Sequence, residues 1–237
     1  MTMANERKDS GQPLILEGIE LLLIRKRIKN MYLKVLPPKG EVRLTAPLRT
    51  PLAELARFAA KHALWVRQKQ KELQNRVSPE PLQYISGEQH FLFGKSYELR
   101  VRVSERNAVF LKGSRMILEL TEMGTAESRE HILNEWYRYQ LKSAIGRRLP
   151  DCERITEKHA AEWGVRNMRT RWGTCNVMRQ RIWLNLQLAK KTPECLDYVL
   201  IHELTHLYER HHNARFRSYM DRFCPNWRDI RRRLNEN

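Results

Sequence analysis

The run Tyr198-Val199-Leu200-Ile201-His202-Glu203-Leu204-Thr205-His206-Leu207 constrains this 237-residue chain more than any other stretch. Thr192-Pro193-Glu194 just before it is a helix-start signal, with Thr192 as N-cap candidate and proline at the first helical position. A helix there puts His202 and His206, four residues apart, on one face about one turn from each other. Two imidazoles so spaced can chelate one metal ion, and Glu203 beside the first is in reach of a water at that metal. Apolar Leu200, Ile201, Leu204 and Leu207 surround these polar groups. Buried polar groups without partners are costly, so the setting favours a metal site over a histidine pair hydrogen-bonded in the core with Glu203 exposed.

A catalytic zinc takes three protein ligands and keeps one position open. The candidates for the third are His211, His212 and Glu209. At about 100° per residue, an unbroken helix turns both His211 and His212 away from the ligand face. If the helix ends near Arg210 and the chain turns back, with Asn213 as breaker, His212 arrives over the metal. Glu209 stays on the ligand face but two turns from His202. Spacing prefers His212 and leaves Glu209 open.

The rest of the chain has to supply a scaffold for that helix. From Leu21 to Thr45 the pattern is β-like, with a turn expected at Pro37-Pro38-Lys39-Gly40. Thr50-Pro51 opens a helix running to about Gln74, and Leu52, Leu55, Phe58, Ala59, His62, Trp65 and Val66 recur as a core face. Strands return over 82–120. A long helix is expected from Ala126 to about Leu149, and a second from Asp151 to Trp163. Residues 165–186 read as a hairpin of Val165–Trp172 with Arg181–Leu186, followed by the histidine helix, a short helix Ala214–Phe223 and a last one from Pro225. No internal repeat stands out. This is an α+β chain with three expected stretches. Residues 1–13 are loose, 14–125 form a β-rich region around one long helix, and 126–237 form the hydrolase domain.

Charge and cysteines bound the partners. Lys+Arg 44 against Asp+Glu 27 gives a net charge of +17, which attracts polyanions, so non-specific contact with nucleic acid or nucleotides is open to the basic surface. The four cysteines, Cys152, Cys175, Cys195 and Cys224, include no Cys-x-x-Cys pair and fit reduced thiols. Neither Met1 to Lys8 nor any apolar run has the pattern of a signal peptide or membrane span, so a cytoplasmic location without membrane partners is expected. No pattern sets the oligomeric state.

The segment His202-Glu203-Leu204-Thr205-His206-Leu207 with His212-x-x-x-Phe216 resembles the YgjP-like metallopeptidase family, relatives of the SprT-like zinc proteases. Arg169-Thr170-Arg171-Trp172-Gly173-Thr174-Cys175 is similar to that family's Lys-Thr-Arg-Trp-Gly-Ser-Cys block, and Ile182-Trp183-Leu184-Asn185 and Leu196-Asp197-Tyr198-Val199 match as well. The likeness is specific over 165–230 and weaker from Arg25 to Gln74 and around Gly94. Departures are Arg169 for lysine, Thr174 for serine, and Arg217 where an aromatic residue often follows Phe216. The resemblance implies His212 as third ligand, Zn²⁺ as cofactor, and a minimal zincin-like core of helices plus a β-hairpin, carrying the β-rich region as an N-terminal extension.

The expected function is therefore a zinc-dependent metallopeptidase acting on a peptide or protein, with His202, His206 and His212 as metal ligands and Glu203 as general base. Tyr208, His211 and Tyr219 are candidates for a second oxyanion donor, though a structural role suits each better. The strand Arg181–Leu186 is a candidate edge for an extended peptide, Arg171, Trp172 and Cys175 for the cleft lining, and Asn185 and Asp197 for hydrogen-bonding the imidazoles. Two alternatives keep the metal. One is hydrolysis of a phosphorylated small molecule such as a nucleoside triphosphate, drawn in by the five arginines between Arg166 and Arg181. The other is a nucleic-acid-tethered, SprT-like protease.

Overall fold

The computed structural model describes residues 11–36, 40–75 and 81–235. The expected turn at Pro37-Pro38-Lys39 and most of the expected loose 1–13 stretch lie outside the described residues. Within that stretch, Gln12 and Pro13 already belong to a strand. The chain divides into two compact units, one ending at Pro81 and the other starting at Leu82.

The first unit is a four-stranded sheet with one helix. Strands β1 (Gln12–Leu16), β2 (Ile19–Lys26), β3 (Tyr32–Leu36) and β4 (Glu41–Pro47) lie in the order β1-β2-β4-β3. The β2–β4 pair is parallel and its neighbours antiparallel. The β1–β2 connection is a two-residue turn, Glu17-Gly18, with both φ positive at 51° and 71°, the geometry that suits the right-handed strand twist. Alternate residues Leu21, Leu23, Val42, Leu44 and Ala46 face one side and are buried. On them lies α1 (Leu52–Asn75), which buries Leu55, Ala59 and Val66 completely. Leu52 and Trp65, expected in the core face, are instead 57% and 39% exposed, because the sheet is too narrow to cover the flanks of the helix.

The second unit opens with the same plan. Strands β5 (Gln89–Leu92), β6 (Lys95–Val103), β7 (Ala108–Lys112) and β8 (Arg115–Leu120) lie in the order β5-β6-β8-β7, again with one parallel pair, β6–β8, at the centre. The first hairpin again turns on two residues of positive φ, Phe93 (47°) and Gly94 (80°). A repeat absent from the residues is thus present in the topology.

The next helix, α2 (Ala126–Thr156), differs from expectation. It runs unbroken through Pro150, because its buried face continues from Leu149 to Cys152 and Thr156. Thr125 Oγ1 caps its start by accepting from the Ser128 N–H, and Glu157 ends it in the left-handed conformation. No helix covers Asp151–Trp163 as a separate element; β9 (Glu162–Arg166) takes its last residues into a sheet. That sheet is ordered β10-β11-β9, with β10 (Gly173–Asn176) antiparallel and β9 parallel to β11 (Arg181–Asn185). The hairpin partner of β11 is therefore β10, and Val165 sits on the opposite side of it. A short 3-10 helix (Leu186–Lys190), α3 (Pro193–Thr205), α4 (Ala214–Phe223) and α5 (Trp227–Asn235) complete the unit.

One core joins these parts: Leu99, Met116 and Leu118 of the β5–β8 sheet, Leu133, Leu141 and Ile145 of α2, and Leu196, Leu200 and Leu204 of α3. Sharing this core, β5–β8 belong with α2 and α3, and the chain parts at Pro81–Leu82 where 125/126 was expected. The Phe93-Gly94 turn fixes the approach to α3. Phe93 and Gly94 N–H groups donate to the Ala189 and Lys190 carbonyls at 2.8 and 3.3 Å, and a side chain at 94 would strike Thr192.

Candidate metal centre

α3 is buried almost all round. Leu196, Leu200 and Leu204 are fully buried and Cys195, Val199 and Ile201 nearly so. In such a helix every polar group needs a partner. Thr205 finds one by donating Oγ1–H to the Ile201 carbonyl at 2.7 Å. His202 Nδ1 is buried and has none. Glu203 is only 4% exposed.

The helix stops at Thr205, and the chain turns through Leu207–Arg210 until Asn213 Oδ1 accepts the Phe216 N–H at 3.0 Å and starts α4. That turn carries His212 back over the helix. Its Nε2 lies 2.9 Å from His202 Nε2. One ligand atom from each of His202, His206 and His212 lies within 4.8 Å of the others. Phe216 backs the cluster, its ring 4.7 to 4.9 Å from all three imidazoles. Glu209 contributes its backbone, its carbonyl accepting from His206 Nδ1 at 3.2 Å. Its carboxylate accepts the His211 N–H at 3.1 Å. Among the described residues these three histidines are the group suited to a cation.

Burial is the first cause of the proton affinities here. It pulls His202 down to about 3, helped by the neighbouring imidazoles and Arg231, and lowers His206 and His212 as well. All three are held neutral, the form that ligates. With His206 Nδ1–H held by the Glu209 carbonyl, its Nε2 lone pair faces the cluster. Two neutral nitrogens at 2.9 Å are satisfied by sharing a proton or by a cation between them. The donor set therefore fits a metal ion.

Glu203 is pushed up to about 8 by burial, with Arg171 working against the shift. Strand β10 passes close over it at Gly173, where a Cβ would lie 2.5 Å from Glu203 Oε1. Outside β10 opens a cleft of about 1030 Å³. Its floor is the histidine cluster with Glu203, one wall is Arg171 to Met178, and α5 adds another through Trp227, Arg231 and Asn235. Trp172 closes one side, its Nε1–H donating to Asn235 Oδ1 at 3.1 Å.

Several expected roles are relocated. β11 is covered by β9 and β10, so its edge is unavailable; β9 and β10 are the edge strands, and of the two it is β10 that lines the cleft. Asn185 does not touch an imidazole. It organises the loop before β10, donating to the Met168 and Arg171 carbonyls at 2.8 and 2.7 Å. Asp197 pairs with Arg148. Tyr208 donates to the Thr156 carbonyl at 2.8 Å and stacks on Tyr219, and neither they nor His211 line the cleft. Arg166 and Arg181 lie over the Trp183 ring. Trp172 and Cys175 do line the cleft, with the Cys175 thiol pushed up to about 11 by burial and then by Glu203. Tyr198, Gly173 and the α5 residues are not marked as cleft residues by the sequence, and in α5 no local pattern sets Arg231 apart from its basic neighbours.

The family model described as "YgjP-like, metallopeptidase domain" matches residues 29–237. A solved structure, that of the metallopeptidase zymogen of Pyrococcus abyssi abylysin, is similar at 20% identity and a TM-score of 0.36, over 38% of this chain and 90% of that one. No curated protein matches.

Proposed function

The chain belongs to the YgjP-like metallopeptidase family, and from that premise we propose a zinc-dependent peptidase whose metal is held by His202, His206 and His212 and whose general base is Glu203. One observation carries it: three neutral imidazoles converge beside a buried carboxylate on the floor of a cleft walled by a free strand edge. Zinc bound there would polarise the scissile carbonyl and acidify the attacking water. A divalent cation also favours the Glu203 carboxylate over its protonated form. Glu203 then takes a proton from the water and returns it to the leaving amine. The β10 edge binds the substrate as an added strand, its backbone groups giving affinity without demanding a sequence.

The test is metal analysis beside turnover. The full chain should carry one zinc, E203Q should keep it and lose peptide hydrolysis, and H212A should lose metal. Unaltered turnover in E203Q would sink the mechanism.

A second reading rests on Arg171 in the cleft wall: the same centre hydrolyses a phosphorylated small molecule such as a nucleoside triphosphate. No glycine-rich phosphate loop accompanies it, and the peptide edge favours the first. The +17 charge also suits tethering to nucleic acid, which peptide turnover with and without DNA would reveal. Among the described residues no helix is long and apolar enough to cross a membrane.

A further inference from the structure

We propose that this cleft selects peptides carrying a carboxylate side chain next to the scissile bond, recognised by Arg171 and Arg231. The inference rests on the peptidase reading above and adds its substrate class.

The lining of the cleft is one-sided in charge. Its one acidic residue is Glu203, at the floor and buried, while Arg171, Arg210, Arg217 and Arg231 are cationic. Arg171 and Arg231 come from different elements. Arg171 stands two residues before β10, beside the track of a peptide added to that edge. Arg231 stands on α5, and its charge reaches His202 and His212. The charge of Arg171 reaches Glu203. Both arginines line the cleft, and the charge of each bears on the candidate centre.

Among the described residues Arg148, Arg181 and Arg228 have carboxylate partners, whereas Arg171 and Arg231 form no ion pair. The stretch of α5 that carries Arg231 is tied down on both sides. One turn before it, Trp227 Nε1–H donates to Asp221 Oδ1 at 2.8 Å. One turn after it, Asn235 Oδ1 accepts from Trp172 and Asn235 Nδ2 donates to the Arg231 carbonyl at 2.7 Å. Those contacts fix the backbone on which Arg231 joins the lining of the cleft. Guanidinium matches carboxylate with two parallel hydrogen bonds. The same field, strengthened by a divalent cation, repels lysine and arginine side chains. The peptide edge of β10 argues for a side-chain carboxylate over a free phosphate, which would leave that edge unused.

The test uses the zinc-loaded full chain and quenched fluorescent peptides identical except for Glu, Gln or Lys beside the cleaved bond. The expected kcat/KM order is Glu, then Gln, then Lys, with about tenfold between the first two, a charged hydrogen bond's worth. In R171Q/R231Q the Glu-to-Gln ratio falls to about one, mainly through KM, and R231K retains only part of it, since lysine keeps the charge and loses the paired hydrogen bonds. Equal kcat/KM for Glu and Gln peptides, or a preference that survives the double substitution, overturns the proposal while leaving the peptidase reading intact. Absence of any peptide cleavage defeats the peptidase reading instead. Fluorescence anisotropy on zinc-loaded E203Q then decides the inference. Tighter binding of the Glu peptide than the Gln peptide, lost in E203Q/R231Q, supports it; equal binding, or displacement of the Glu peptide by lower concentrations of a nucleoside triphosphate, overturns it.

Discussion

The β1–β4 sheet with α1 and the β5–β8 sheet with α2 share strand order, strand sense and the positive-φ turn of the first hairpin, but they end differently. In the first, α1 covers its own sheet and leaves Leu52, Leu64 and Trp65 exposed. In the second, α2 is longer, and its buried residues lie in one core with α3, the 3-10 helix and β9. The hairpin tips show the same contrast. A Cβ on Gly18 would meet open space; one on Gly94 would press on Thr192 at the start of the histidine helix. The repeated motif is a scaffold in both places. It becomes part of the candidate site only where its helix and its first turn are packed against the helix that carries His202, Glu203 and His206.

The comparison makes unequal predictions for the two copies. The largest concerns Glu203. E203Q should lower peptide turnover by about 10²–10⁴-fold with zinc retained, whereas Gln or Ala at any exposed α1 position should leave turnover within about twofold. An α1 surface change as damaging as E203Q would break the division of labour. Next comes packing. L200A in α3 and L55A in α1 both open a fully buried site, and each should cost about 2–5 kcal/mol. Hydrogen exchange should report faster opening of the second unit for L200A and of the first for L55A, and zinc affinity should fall for L200A alone.

The two units also differ in what pH does to them. Glu203 has its folded pKa raised to about 8, so in metal-free protein its contribution is present at low pH and lost as pH rises through that value. His202, lowered to about 3, acts in the opposite sense, and loses its influence once pH exceeds about 6.5, the ordinary histidine value. From pH 6.5 to 8 the metal-free second unit should therefore lose up to about 2 kcal/mol of stability. E203Q should flatten that slope, and saturating zinc should too. A slope unchanged by E203Q would place the titration elsewhere. The smallest effect separates the hairpin tips. G18A and G94A share a backbone penalty of about 1–2 kcal/mol for a left-handed residue, and G94A adds the clash with Thr192. Denaturant midpoints should put G94A about 1 kcal/mol or more below G18A; equal costs would mean that the Gly94 turn does not position α3.

How much of the molecule is legible in the sequence depends on the range of the forces involved. α1, α3 and α4 are legible because caps and apolar period are local, and His212 is reachable because the turn that brings it spans only six residues beyond His206. Pro150 misleads because a proline is a local stop signal, while α2 is held by a face that packs over its whole length. β9 is split in the sequence reading, Glu162 and Trp163 closing a helix at Gly164 and Val165 opening a hairpin strand, because the stretch has no alternation and its parallel pairing with β11 is a long-range choice. The repeat is hidden because the copies share strand spacing and turn geometry and few side chains. Arg231 and Asn235 lie more than 20 residues past His206 and reach the cleft only through the packing of Trp227, Ile230 and Leu234.

Gly173 leaves one further consequence. Every coded alternative to glycine brings at least one more carbon, and at this position that carbon would land 2.5 Å from Glu203 Oε1 and 2.8 Å from its Cγ. A side chain at this position therefore fits only if the Glu203 carboxylate gives way. G173A should keep zinc and the fold's other contacts and lose turnover, because its methyl group can be housed only by displacing Glu203, the proposed proton acceptor. Scanning for functional groups passes over such a residue; scanning for forbidden volume finds it first.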